Sequence, residues 1–183
     1  LRPGLGISGG NLERDLNNLI KFSKKHKTSN ALIKGMILNS HYNKNWVWKK
    51  LNQLLLKKKK NPKISLLGLS YKENTSSIKN APSIYLIKKL KNFSLSVFDP
   101  WVPNSAIKRY SVSIAKNSLD AIKKTDALVI LSPWKEFSFL KIGLLKKIMS
   151  GNIIIDPYRV LNQKNALKHG FIYSTIGNSP EIK

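Results

Sequence analysis

Two stretches of the chain place residues able to bind or react at spacings that bring them together. The first is Pro3-Gly4-Leu5-Gly6-Ile7-Ser8-Gly9-Gly10-Asn11-Leu12-Glu13-Arg14-Asp15. Its glycines, Gly6, Gly9 and Gly10 among them, permit positive φ and let the backbone approach a ligand closely. Asn11 and Asp15 stand four apart at the start of a helical pattern and so share one face. A carboxylate at Asp15 can position water or a hydroxyl. Asn11 is no nucleophile, because its amide lone pair is delocalised. The plainer reading of the pair is an N-cap followed by a first-turn acid. Gly4 to Gly9 also spell G-x-G-x-x-G, the dinucleotide fingerprint. That motif needs a strand before it and an acid about twenty residues later. Neither is seen here, so the match is read as a glycine-rich turn.

The second stretch is Gly68 to Pro82, GLSYKENTSSIKNAP. It follows the apolar run Lys63 to Leu67 and leads into a helical pattern from Ser83 to Leu90, the layout of a βα unit. In open α/β folds the loop after such a strand is where ligands bind. Lys72 in that loop can neutralise a diphosphate or contact a sugar, and its position carries the argument more than its type, since lysine is abundant here. Arg159, three residues after Asp156, can reach a nucleotide or form an ion pair with Asp156. His26, His41 and His169 are scattered and cysteine is absent. Thiolate chemistry and disulfides are therefore excluded, and no metal site is expected.

These residues must be positioned by elements. Residues 11 to about 60 read as helix. Leu12, Leu16, Leu19, Ile20 and Phe22 give one helical stripe. A longer one runs over 31 to 56 through Leu32, Met36, Trp46, Val47, Leu51, Leu54 and Leu55. Thr28-Ser29-Asn30 offers caps for it. Trp46 and Trp48, two apart, diverge on a helix, so one is expected to face away from the core. Asn61-Pro62 then breaks the chain. Beyond it, strand patterns at 63–67, 94–98, 112–115, 126–131, 152–155 and 171–175 alternate with helical ones at 82–91, 104–109, 117–124, 141–149 and 163–169. Continuous apolar runs such as Ala127 to Leu131 suit strands covered on both faces. The expected fold is α/β: a Rossmann-like, doubly wound parallel sheet preceded by a helical segment.

The 183 residues carry 33 Lys and Arg against nine Asp and Glu, a formal charge of +24. Clustered cations of that number are one signature of nucleic-acid binding. Only four of them are arginines (Arg2, Arg14, Arg109 and Arg159), leaving 29 lysines spread along the chain. Arginine is the residue favoured for bidentate phosphate contacts. The lysines read as solvated faces, with Lys57 to Lys60 at a helix end where cations favour the dipole. No nucleic-acid partner is expected. No apolar run is long enough to span a bilayer and no signal-peptide pattern is visible, so a cytoplasmic protein is expected. The chain begins at Leu1 rather than methionine, and a fragment of a longer protein is expected.

The second stretch resembles the loop that opens the C-terminal domain of the UDP-glucose/GDP-mannose dehydrogenase family, G-x-x-F-K-x-N-T-D-D-x-R-x-S/A-P. Tyr71-Lys72, Asn74-Thr75, Lys79 and Ala81-Pro82 take the matching places. The first stretch resembles that family's P-G-x-G-F-G-G-S-C-x-P-K-D. Phe98-Asp99-Pro100, Thr125 to Phe137, Ile155 to Leu161 and Gly170 to Gly177 resemble further family motifs in the family's order. The resemblance implies the end of a central helical domain over 1–61 and a nucleotide-sugar-binding C-terminal domain over 62–183. The domain that binds NAD would precede both.

It further implies an NAD-dependent oxidation of a UDP- or GDP-hexose. The family's catalytic cysteine falls on Asn11 and its water-orienting aspartate on Asp15. The glycine loop (Gly6, Gly9, Gly10), Lys72 and Arg159 would face the substrate, and Lys79, where the family has arginine, the NAD cofactor. Ser76 and Ser77 replace the usual acidic pair. A homodimer through the helix over 31–56 is implied as well. With Asn11 in place of cysteine, thioester chemistry is lost. A catalytically degenerate nucleotide-sugar-binding module is therefore the alternative.

Overall fold

The computed structural model describes residues 4–177. Leu1 to Pro3 and residues 178–183 lie outside them, including Arg2 and Pro3, the first residue of the glycine-rich stretch. Six short parallel strands form one sheet: β1 (Lys63–Leu67), β2 (Ser94–Phe98), β3 (Ser113–Ile114), β4 (Ala127–Ile130), β5 (Ile153–Ile155) and β6 (Ile172–Ser174). Their order is β3-β2-β1-β4-β5-β6. The order reverses between β1 and β4, where Ile64 to Leu67 pair with Ala127 to Ile130. A crevice at the carboxyl ends of those strands is the ligand site of such sheets. Gly68 begins the β1 crossover at φ +85°, and a Cβ there would lie 2.7 Å from the Ser132 amide nitrogen. The two loops flanking the crevice thus touch at a position that tolerates only glycine.

Alternation along the strands explains why both faces are covered. Ile64, Leu66, Ala127, Val129, Ile153 and Ile155 enter one buried cluster. Leu67, Leu128, Ile130 and Ile154 enter the other. Successive side chains point to opposite faces, so an unbroken apolar run supplies both layers. The first layer includes α3 (Trp46–Leu51) and α4 (Pro82–Lys89); the second includes α6 (Ser118–Ile122), α7 (Ile142–Ile148) and α8 (Gln163–Lys168). Local signals set the helix starts. Pro82 opens α4, where its missing N–H costs nothing. Asn117 and Asn162 accept from the amides of Asp120 and Asn165 and cap α6 and α8. A short α5 (Asn104–Ile107) links β2 to β3, and a 3-10 turn over Lys135–Phe139 follows β4.

The helical segment departs from its expected form. The helix expected over 31–56 divides at Asn45 into α2 (Ala31–Lys44) and α3, and ends in a π-helical turn, Asn52–Leu56. α3 touches both α4 and β5. Trp46 and Trp48 are accordingly both half-buried against the core of their own chain, with Lys89 of α4 4.6 Å from the centre of the Trp48 ring. The expectation that one would face away fails because α3 has neighbours on two sides. In α1 (Leu12–Lys25) only Leu16 of the apolar stripe is buried, while Leu12, Leu19 and Phe22 are exposed. Leu32, Met36, Leu38 and Tyr42 of α2 are exposed as well. The Asn61-Pro62 break precedes β1 as expected, and Lys59 beside it is fixed: its Nζ lies 2.6 Å from Asp126 Oδ1, and Asp126 Oδ2 accepts from the Lys63 amide at 2.8 Å. One member of the lysine run therefore holds the first strand at its start.

Candidate functional site

The glycine loop, 4–10, lies across the carboxyl ends of β1 and β5. Its glycines seat it through close backbone approaches, and Leu5 is buried in the core. The Gly9 amide donates to the Lys79 carbonyl at 3.0 Å, and Gly9 at φ +81° faces the Tyr71 ring, 3.2 Å from where a Cβ would be. Gly10 lies under the Lys79 side chain, which would stand 2.9 Å from a Cβ at that position. Gly6 at φ +94° would place a Cβ 2.5 Å from the Ser40 carbonyl oxygen of α2, and the Ile7 amide donates to the Ser40 hydroxyl at 2.8 Å. Beneath the loop, Tyr158 from the turn after β5 accepts a hydrogen bond from the Leu5 backbone; burial pushes its phenol above the ordinary 10.0.

The structure therefore brings the two sequence stretches together. Gly9 and Gly10 precede Asn11 directly, and their partners Tyr71 and Lys79 bracket the segment that carries Lys72. Lys72 is exposed, its Nζ 5.7 Å from the Tyr71 ring centre. Lys79 is exposed too, and among the described residues no carboxylate pairs with it. Asn11 sits at the N-cap position of α1, but its side chain makes no capping bond and is exposed. The reading of Asn11 as a capping side chain is thus not realised. Asp15 lies one turn on, its amide donating to the Asn11 carbonyl at 2.9 Å; its carboxylate is 3.0 Å from the Arg14 guanidinium and half-exposed.

A buried lysine ties this assembly together. Lys44 at the end of α2 is 3% exposed. Its Nζ donates to Asn80 Oδ1 at 2.7 Å and lies 3.4 Å from Glu13 Oε2. Asn80 Nδ2 in turn donates to the same Glu13 oxygen and, at 3.3 Å, to the Ile7 carbonyl. Two helices, the glycine loop and the β1 crossover meet in this one polar cluster. A buried ammonium needs such partners, since an unpaired charge out of water is costly.

Asp99 and Asp156, each just past a strand end, serve their own backbone. Asp99 Oδ2 accepts from the amides of Leu69 and Ser70 at 2.6 and 2.9 Å, from the Ser70 hydroxyl and from Trp134 Nε1. Its other oxygen accepts from the amides of Trp101 and Val102. Amides at the start of a β1 crossover are the groups that hold a phosphate in dinucleotide-binding sheets. Here an internal carboxylate occupies them. Asp156 is fully buried and accepts from the amides of Tyr158 and Leu161 and from the Tyr173 hydroxyl at 2.7 Å. Burial pushes its carboxyl above the usual 3.8, against the opposing pull of those bonds. The Tyr173 phenol is pushed well above its ordinary range by its own burial and by Asp156. Arg159, at φ +54°, donates instead to the Ile176 carbonyl at 3.2 Å. Of the two readings for Arg159, the ion pair with Asp156 is not formed.

Sequence reasoning missed Lys44, Glu13, Asn80, Tyr71 and Tyr158 as members of the site. Nothing in the spacing of Lys44, 31 residues from Glu13 and 36 from Asn80, signals their meeting. Among the described residues no three His, Cys, Asp or Glu side chains gather as a metal site would need. None of the described helices is long and apolar enough to cross a membrane. Chemically, the assembly offers cations, amides and hydroxyls for an anionic or polyhydroxylated ligand. The cysteine-free chain offers no thiol nucleophile.

Comparison with known proteins places this geometry. The chain is 28% identical over 180 residues to a UDP-glucose 6-dehydrogenase of Rhizobium meliloti (strain 1021), covering 97% of this chain and 41% of the relative. It is 28% identical over 181 residues to the UDP-glucose 6-dehydrogenase TuaD of Bacillus subtilis (strain 168), covering 97% and 39%. It thus spans about 40% of the length of the curated relatives it matches. Among solved structures, the NDP-N-acetyl-D-galactosaminuronic acid dehydrogenase of Methanosarcina mazei Go1 superposes with a TM-score of 0.80 at 22% identity, over 98% of this chain and 40% of that one. The UDP-D-ManNAc dehydrogenase of Pyrococcus horikoshii gives 0.79 at 24% identity, over 97% and 40%. At those identities the likeness establishes the fold. Residues 65–163, more than half of the chain, match the UDP-glucose/GDP-mannose dehydrogenase family, UDP binding domain. The chain belongs to the UDP-glucose/GDP-mannose dehydrogenase family.

Proposed function

We propose that this chain is the C-terminal part of an NAD-dependent dehydrogenase of UDP- or GDP-hexoses, with Asn11 in the place of the catalytic cysteine. Residues 1–61 would close a central helical domain and 62–183 form the nucleotide-sugar-binding domain. The observation that carries this reading is the docking of the glycine loop on the β1 crossover, through Gly9 to Lys79 and Tyr71. That contact supports a site built from Gly6, Gly9, Gly10 and Lys72, with Arg159 on the neighbouring turn after β5. The ligand's diphosphate would be balanced by Lys72 and its sugar hydroxyls met by loop amides. Asp99 already fills the Leu69 and Ser70 amides, which directs the diphosphate to the glycine-loop side.

For the cofactor, Lys79 fits an anionic group, being exposed beside Gly10 with no carboxylate partner among the described residues. NAD, bound mainly by a part of the protein outside this chain, would supply the hydride acceptor. Asp15 would orient water or the substrate hydroxyl, though it must share its carboxylate with Arg14. Calorimetric titration of the chain with UDP, GDP and their glucose and mannose conjugates tests the binding step. One saturable site is expected, weakened about tenfold in Lys72→Ala, the loss of one charge-assisted contact. An absence of saturable binding overturns the reading.

A second reading, a nucleotide-sugar-binding module without oxidation, is favoured by the exposed, uncoordinated Asn11 amide and by the serines at 76 and 77. Asn11→Cys in the full-length protein separates the two. If the pocket is competent, the variant gains conversion of the sugar aldehyde to the acid with NAD reduced, because the thiol adds to the aldehyde and the second hydride leaves a thioester for water to hydrolyse. No gain, with nucleotide-sugar binding intact, leaves the binding module. We also assign the chain to a homodimer formed through the segment 31–56 and to the cytoplasm; the apolar side chains exposed on α2 support the former.

A further inference from the structure

Beside α4, on the far side of Lys79 from Gly10, a cleft of about 630 Å³ opens between residues 76–81, α4 and the turn at Arg109-Tyr110. Its walls hold Lys79, Lys88 and Arg109 and no carboxylate, with hydroxyls from Ser76, Ser77 and Tyr110. The volume lies within the range of small-ligand sites. Three cations around one concavity, without an acid among them, raise the local concentration of anions.

The residue types sharpen this. The chain uses arginine at four positions and lysine at 29. Two of the three described arginines are committed, Arg14 to Asp15 and Arg159 to the Ile176 carbonyl. Arg109 lies against the Tyr110 ring, 5.1 Å from its centre, and no carboxylate of the described residues pairs with it. A guanidinium beside a tyrosine ring keeps its N–H fork available, as bidentate phosphate contact requires. Lys79 stands in the wall between this cleft and Gly10.

We propose that this cleft is a second anion site, adjoining the glycine-loop site across Lys79, which binds the phosphate or diphosphate group of a small molecule through Arg109 and Lys88. The inference does not rest on the nucleotide-sugar reading. Titration of the 183-residue chain with inorganic pyrophosphate at fixed ionic strength tests it. One saturable site is expected. The double variant Arg109→Gln/Lys88→Gln, altered only at exposed side chains, should bind at least about tenfold more weakly. A control variant of equal charge loss, Lys57→Gln/Lys58→Gln, should bind as the parent does. UDP binding should be unchanged in both variants, so a failure here is distinguishable from a failure of the glycine-loop site. The proposal is overturned if pyrophosphate shows no saturable binding, if the double variant binds it like the parent, or if the control loses affinity equally, which would mean diffuse attraction to the lysine-rich surface.

Discussion

Asp156 is a buried acid whose surroundings oppose its charge. It is fully buried behind the β5 end, with two amides and the Tyr173 hydroxyl directed at its oxygens. Desolvation still prevails, and its carboxyl titrates above 3.8 in the folded chain. A folded-state value above the unfolded one means the native state binds the proton more tightly. The contribution to stability is then fully present below 3.8 and is lost as pH rises through the elevated native value. Urea unfolding of the parent and of Asp156→Asn should show the parent's relative stability falling over that window, by about 1.4 kcal/mol for each pH unit it spans. A difference between the two that stays flat with pH would mean that the hydrogen bonds cancel the effect of burial, and one that rises with pH that they outweigh it. At this scale the sequence was a partial guide. Asn11, Asp15, Lys72, Lys79 and Arg159 could be nominated because short motifs carry them. Lys44, Glu13 and Asn80 were not, because a buried polar cluster is defined by partners distant in sequence.

The strands and helices after Asn61 were readable within a residue or two at each end. Their signal is local: unbroken apolar runs for strands buried on both faces, asparagine caps for α6 and α8, and Pro82 for α4. The helix over 31–56 was not readable as two pieces. Its apolar residues serve two surroundings, and periodicity alone cannot separate them. Val47, Leu51, Leu54 and Leu55 reach the core of the chain; Leu32, Met36, Leu38 and Tyr42 do not. The proposed dimer therefore belongs to α2 rather than to the whole segment. Leu32→Lys/Leu38→Lys should shift the intact protein toward monomer in sedimentation velocity while leaving its circular dichroism unchanged. Retention of the dimer by that variant would move the interface elsewhere.

Across the whole molecule, a formal charge of +24 is carried on a compact α/β fold. Like charges so numerous repel within the folded state more than in the expanded one. Screening should relieve this, since the Debye length falls from about 30 Å at 0.01 M to about 8 Å at 0.15 M salt. Melting followed by circular dichroism should show Tm rising between those concentrations, by about 2–4 °C for each kcal/mol of repulsion removed. A Tm that falls with salt would show that pairs such as Lys59–Asp126 and Lys44–Glu13 outweigh the repulsion. The sequence by itself determined the alternation of elements, the parallel sheet and the family, because apolar period, caps and ordered motifs are written in neighbouring residues. Only the tertiary structure decided that the glycine loop rests on Tyr71 and Lys79, that Asp99 fills the crossover amides, and that Lys44 is buried. Those outcomes depend on which surfaces meet when the helical segment packs on the sheet, and close packing and charge burial act between atoms that no local spacing relates.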